Sequence, residues 1–199
     1  GLITLLLGLG SPLAVFAAVF HIFNHAAFKA GLFLLAGIID HETGTRDIQQ
    51  LSGLKKAMPV TAVLTLIGCG AMAGVPLFNG FLSKEMFLAE TLAPGLTGAW
   101  SFILPVGAVL AAVFAVAYSI RMLLGVFWGN PAEDLPRSPH EPPVGMTLSP
   151  AFLMAMCVLV GIFPAFFAGP LINAGAEAIL GPDMPGFHMA VWHGFNIAL

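Results

Sequence analysis

The chain has 199 residues, of which 58% are hydrophobic and 9% are Asp, Glu, Lys or Arg, with a formal net charge of −3. A soluble domain carries about 25% charged residues, so these few charges cannot coat a water-soluble globule. Apolar runs of the length that crosses a bilayer core of about 30 Å recur along the chain. It reads as an all-α, polytopic transmembrane helical bundle.

Residues 1–9 read as the tail of a helix whose start lies upstream. Ser11 and Pro12 then form a helix start, as N-cap and first helical residue, and the span that follows is predicted over 12–39. Its roughly 28 positions reach about 42 Å, enough to cross with tilt. The polar segment from Asp40 to Pro59 lies at or outside the headgroups. A span over 60–91 is interrupted by GVPLFNG at residues 74–80. Gly and Pro there break the helix, which a membrane tolerates only where protein or a water-filled cavity satisfies the freed backbone. Spans over 100–128 and 146–167 follow, separated by the Pro-rich loop GNPAEDLPRSPHEPPVG, and a partial one over 187–199 begins after a re-entrant or interfacial piece. The chain starts at Gly1 inside an apolar run and stops soon after another begins, so it is read as an interior piece of a longer protein.

Arg46, Lys55, Lys56 and Arg137 fall on one side of this topology, with Arg121 near the same end of its helix as an interfacial anchor. The loops near 91–99 and 169–187 contain no Lys or Arg. The positive-inside rule makes the basic side cytoplasmic in a cell membrane. Trp100, Trp128 and Trp192 sit near span ends, as aromatic belts do. Glu177, His188 and His193 flank the last loop as interfacial residues. Cys69 and Cys157 fall inside apolar spans as small hydrophobes. No disulfide framework, zinc spacing, phosphate loop or nucleophile elbow is present, so no catalytic residue, metal or cofactor is assigned. With seven Lys and Arg there is no basic field for nucleic acid.

The chemistry concentrates where charge is expensive. His21, His25 and Lys29 recur at i, i+4 and i+8 on one helical face, in the middle of the first full span. An ionisable group at mid-membrane costs at least about 2.5–3.5 kcal/mol and therefore faces an interior or a hydrated path. Histidine exchanges protons near neutral pH, and burial brings lysine toward that range. Such a row has the composition of a proton relay; the plainer alternative is hydrogen-bonded packing. Lys84 and Glu85 follow the broken segment, where freed carbonyls and amides can hold water or an ion. Lys84 either exchanges protons with that path or snorkels to pair with Glu90 or a headgroup. Asp40, His41 and Glu42 at the end of the relay helix are a proton uptake point or simply a solvated helix exit.

Three stretches, HIFNHAAFKAGLFLLAG, DIQQLSGLKKAMP and GVPLFNGFLSKE, resemble the C-terminal half of the antiporter-like module shared by respiratory complex I, membrane-bound hydrogenases and Mrp-type Na⁺/H⁺ antiporters. The similarity covers about residues 1–165. IIDHETGTRD and VWHGFN are further similar to the large A-type subunit of the Mrp antiporters. The resemblance implies half of an inverted repeat with one discontinuous helix. Lys29 matches the relay lysine of the family's central axis, His21 and His25 its neighbouring histidines, and Lys84 the terminal proton-channel residue.

It also implies a proton-conducting subunit of a multisubunit Na⁺/H⁺ antiporter, working with other membrane subunits in the lipid bilayer. Na⁺ and H⁺ are then the transported ions, and no cofactor is involved. Two alternatives stay open. One is a proton-pumping subunit of complex I or a related hydrogenase, where the chain would serve a translocase driven by its partners. The other is a structural module whose polar residues only join helices.

Overall fold

The computed structural model describes residues 1–92 and 97–183, and every regular element among them is a helix. The predicted segment 187–199, with His188, Trp192 and His193, lies outside the described residues. Helix α1 (Leu2–Leu9) ends at Gly10, whose φ of 71° is left-handed. Ser11 then caps α2 (Pro12–Thr43): its Oγ accepts the Ala14 N–H at 2.9 Å, and Pro12 occupies the first turn. The helix does not stop at Ile39, before its first charges. It continues to Gly44, at φ 75°, whose N–H bonds Asp40 O at 2.8 Å. Left-handed geometry favours glycine and ends the helix there; charge alone does not stop a helix whose end stands in water.

Helix α3 (Pro59–Ala73) and helix α4 (Asn79–Thr91) are the two halves of the broken span. Gly74 turns the chain at φ 82°, and Leu77, at φ 74°, is the one non-glycine with positive φ among the described residues. Close backbone approach seats the break. A Cβ on Gly80 would strike the Ala71 carbonyl, and one on Gly161 would strike the backbone of Leu77 and Phe78. Helix α5 (Trp100–Phe127) follows, then α6 (Val144–Ile162), a single turn α7 (Pro164–Phe167), and α8 (Gly169–Leu180). The span predicted over 146–167 therefore divides at Phe163, whose φ of −125° and ψ of 61° leave the helical region ahead of Pro164. A residue before proline is driven from the α region in this way.

Among the described residues, α2, α5 and α6 are long and apolar enough to cross a membrane, and α3 is a shorter apolar helix. Helix α2 is the centre of the bundle, packed against α1, α3, α4, α6 and α8. Its buried Phe16 and Phe20 meet Val160 of α6 and Ile172 of α8, while Leu35 and Ile38 meet Leu64 of α3 and Met154 of α6. By contrast, α5 leaves Phe102, Val113 and Phe114 exposed, an apolar face suited to lipid or a neighbouring protein chain.

At one end the loops are tied together. The Arg137 N–H bonds Thr43 O at 3.1 Å and its guanidinium bonds His41 O at 2.7 Å. Glu141 caps α3, accepting the Val60 and Thr61 N–H groups at 2.9 and 3.0 Å. Arg46 pairs with Asp40 at 2.9 Å, and Lys55 lies 4.7 Å above the Trp128 ring. The basic residues thus gather at one end of the bundle.

Backbone-to-backbone contact leaves Gly80 no room to relax. Gly80→Ala is expected to destabilise the protein by about 1–3 kcal/mol or more. Gly37→Ala, which meets open space, is expected to be neutral or slightly stabilising. Thermal stability of the purified full-length protein distinguishes the two.

Candidate functional site

A cavity of about 280 Å³ lies between the broken helix, α1, α2 and α5, and His21, His25, Lys29, Lys84, Met72 and Tyr118 are among its lining residues. All four residues singled out for a relay therefore line one partly open cavity, although Lys84 is 55 residues beyond Lys29. Helical spacing aligns the first three; the packing of α4 on α2 brings in the fourth.

The His21 and His25 rings are 5.7 Å apart between centroids, and His25 meets Phe28 edge-on at 5.3 Å. His21 is buried and its Nδ1 lies 3.1 Å from Ser83 Oγ on α4. The Ser83 hydroxyl has one proton, which it donates to Gly80 O at 3.3 Å. In that arrangement it accepts from His21 Nδ1–H, and Nε2 is the ring atom left for proton exchange. Lys29 is half-buried, with its ammonium 5.4 Å from the centroid of the Tyr118 ring, within the range of a cation–π contact.

Lys84 closes the break. Its Nζ donates to Met72 O at 2.8 Å and to Ala73 O at 3.0 Å, the last carbonyls of α3. A helix leaves its final four carbonyls without intrahelical partners, and a cation there also opposes the helix dipole. Gly74 makes room for this: a Cβ on it would meet Lys84 Cδ at 2.8 Å. The alternative pairing of Lys84 with Glu90 is not formed. Six positions apart on one helix, the two point to different sides, and Glu90 instead accepts the Ser11 hydroxyl at 2.7 Å.

The accessory residues lie elsewhere. Glu85 is half-buried and has no polar partner among the described residues. Glu42 is buried at the far end of α2, between His41 Nδ1 at 3.0 Å and His140 Nδ1 at 2.8 Å. Thirteen residues, or about 20 Å of helix, separate it from Lys29, and the buried side chains between are Leu32, Leu35, Ile38 and Ile39. Arg121 and Glu177 are exposed. Sequence reasoning missed Ser83, Tyr118, His140 and Glu141. Tyr118 alone had a signal, as the single tyrosine of the chain on an otherwise apolar helix.

The sequence pattern of the transmembrane NADH:quinone oxidoreductase/Mrp antiporter family matches residues 1–114, which include every relay candidate. The chain belongs to this family. The A/B-type subunit of a probable K⁺/H⁺ antiporter of Rhizobium meliloti is 54% identical, covering 100% of this chain and 20% of that protein. The A-type subunit of a Na⁺/H⁺ antiporter of Alkalihalophilus pseudofirmus is 42% identical, over 100% of this chain and 28% of the relative. The solved Mrp complex from Dietzia sp. contains a chain that superposes with a TM-score of 0.81 at 35% identity, covering 100% of this chain and 21% of its own length. The chain thus spans about a fifth to just over a quarter of the length of these relatives. Family membership and its apolar helices make it a multi-pass membrane protein.

Lys84→Met removes the charged donor from the Met72 and Ala73 carbonyls, and a hydrogen bond to a charged group is worth about 1.5–3 kcal/mol. A marked loss of thermal stability is expected in the assembled full-length protein, whereas Glu85→Gln, which breaks no contact, is expected to leave it unchanged.

Proposed function

We propose that this chain is the proton-conducting part of the A-type subunit of a multisubunit monovalent cation/proton antiporter. His21, His25, Lys29 and Lys84 pass the proton among them. The observation that carries this reading is the shared cavity, which puts four basic side chains around one space inside a membrane protein. Two imidazoles and two amines at such a site repel one another when charged, so a proton on one favours its departure from the next. His21, in contact with Ser83 of α4, is the imidazole that meets the broken helix. Lys84 takes the proton at the break, where its ammonium also satisfies the α3 carbonyls.

No carboxylate lines the cavity among the described residues. A space walled by bases suits protons and repels Na⁺, so the exchanged cation moves elsewhere in the complex, through other membrane subunits. Na⁺ is the cation favoured here; the Rhizobium relative's name makes K⁺ the first alternative. Asp40, His41 and Glu42 have an accessory place at the basic end. Glu42 holds His140 of the Pro-rich loop there, and proton uptake at this point needs a hydrated route past Leu32–Ile39. The chain corresponds to most of the second half of the antiporter-like module, as a single transmembrane region. The family name supports one other reading, a proton-translocating subunit of an NADH:quinone oxidoreductase, in which the same residues would answer to redox chemistry in partners.

The test is cation-driven proton exchange in inverted vesicles carrying the full-length protein in its complex, normalised to assembled protein. Lys29→Ala is expected to lower exchange at least about tenfold, the smaller end of what a positioned acid–base group contributes. Lys29→Arg keeps the charge but cannot release a proton, so it is expected to fall as far. Rescue by arginine would assign Lys29 a structural role. Exchange driven by K⁺ but not Na⁺ would change the cation, and sensitivity to respiratory-chain inhibitors would favour the oxidoreductase reading.

A further inference from the structure

Two side chains that the relay does not use present the largest unanswered polar demand in the bundle. Asn24 and Asn79 are both wholly buried, at 0% exposure. Neither the carboxamide nitrogen nor the oxygen of either makes a hydrogen bond to nitrogen or oxygen among the described residues, and Asn79 has only the weak Cys157 thiol beside it. Leaving such a group dry costs about 2–7 kcal/mol against water, and roughly nine-tenths or more of buried polar groups bond to protein or to ordered water. Internal waters make about three hydrogen bonds each to polar groups of this kind.

Their positions are informative. Asn24 lies three residues after His21 on α2, and Asn79 opens α4 four residues before Ser83, the partner of His21. Neither lines the cavity. Asn24, Phe28 and Gly31 share a helical face by their i, i+4 and i+7 spacing, and Gly31 is packed against Met154 of α6. Asn79 lies beside the Cys157 thiol, also on α6. Asn79 therefore faces α6, while Asn24 lies on the part of α2 between the cavity, which Phe28 lines, and α6, against which Gly31 packs.

We propose that Asn24 and Asn79 are water-binding residues, and that the water they hold continues the proton path from His21 into the interior between α2, α4 and α6. A carboxamide offers two donors and an acceptor with two lone pairs, and it does not titrate. It orients water without retaining the proton, which suits conduction better than another carboxylate or imidazole. The conduction role rests on the relay reading; the water binding does not.

The experiment is millisecond radiolytic labelling of the full-length protein in its complex, in ¹⁸O water, with the site-resolved products read by mass spectrometry. Cys157 is buried beside Asn79, whereas Phe28 is buried near Asn24 and also lines the cavity, so at Phe28 only the label lost in Asn24→Leu reports on Asn24. Both are expected to take up label despite their burial, with a several-fold loss at Cys157 in Asn79→Leu and at Phe28 in Asn24→Leu. Absence of label at both sites in the native protein overturns the proposal, and this arm decides even if the variants fail to assemble. Label that is unchanged by the leucine substitutions also overturns it. Proton exchange per assembled complex is read on the same variants, with a several-fold loss expected. Exchange that stays native while the label falls overturns the conduction role and leaves the water sites standing. Loss of exchange in Lys29→Ala with no label at either reporter keeps the relay and removes the water sites.

Discussion

An interrupted helix in an apolar medium has to satisfy its own ends, and the packing around the cavity follows from how this one does so. The chain answers the last carbonyls of α3 with an ammonium from the next helix, 11 and 12 residues on. That choice has steric conditions. Gly74 leaves room for the Lys84 stem, Gly80 lets α4 start against the Ala71 carbonyl, and Gly161 lets α6 lie on the turn itself. A lysine held by these contacts is fixed at the break without a counter-carboxylate among the described residues. The same contact that stabilises the break therefore positions a titratable group on the cavity wall.

Helix α2 carries the consequences to both ends of the molecule. Its middle presents His21, His25 and Lys29 to the cavity, and its end presents buried Glu42 to His41 and His140. The stretch between is apolar and packed against α3 and α6, so the two polar regions are joined through one helix with no polar side chain on it between Lys29 and Asp40. The Pro-rich loop anchors the end through His140 and Arg137, and through Glu141 it also caps α3. One loop thereby holds the cavity helix and the first half of the broken helix in register.

Much of this was legible from residue spacing. Three titratable groups at fourfold intervals have one meaning on a helix, and Gly and Pro clustered inside an apolar run have one meaning in a membrane. The N-cap at Ser11 and the family membership followed from equally local signals. What stayed hidden was long-range. Lys84 and Glu90 were a reasonable pair by proximity in sequence, yet Glu90 found Ser11, 79 positions away. Asn24 and Asn79 looked ordinary because a buried amide without a partner is visible only once its surroundings are in place. His140 and Glu141 were two polar residues in a polar loop until the fold put them against Glu42 and the start of α3. Helix ends also shifted: α2 ran on to Gly44 because backbone conformation, not the first charge, ends a helix.

By itself the sequence determined the membrane, the helices and the face on which the histidines and Lys29 stand, because hydropathy and the 3.6-residue period are properties of neighbouring residues. Tertiary structure alone decided that Lys84 closes the break rather than pairing with a carboxylate, and that four bases surround one cavity. It alone decided that two asparagines are buried outside its lining. Those outcomes depend on which helices pack together, and in this bundle that is set by where a missing Cβ lets one backbone rest on another.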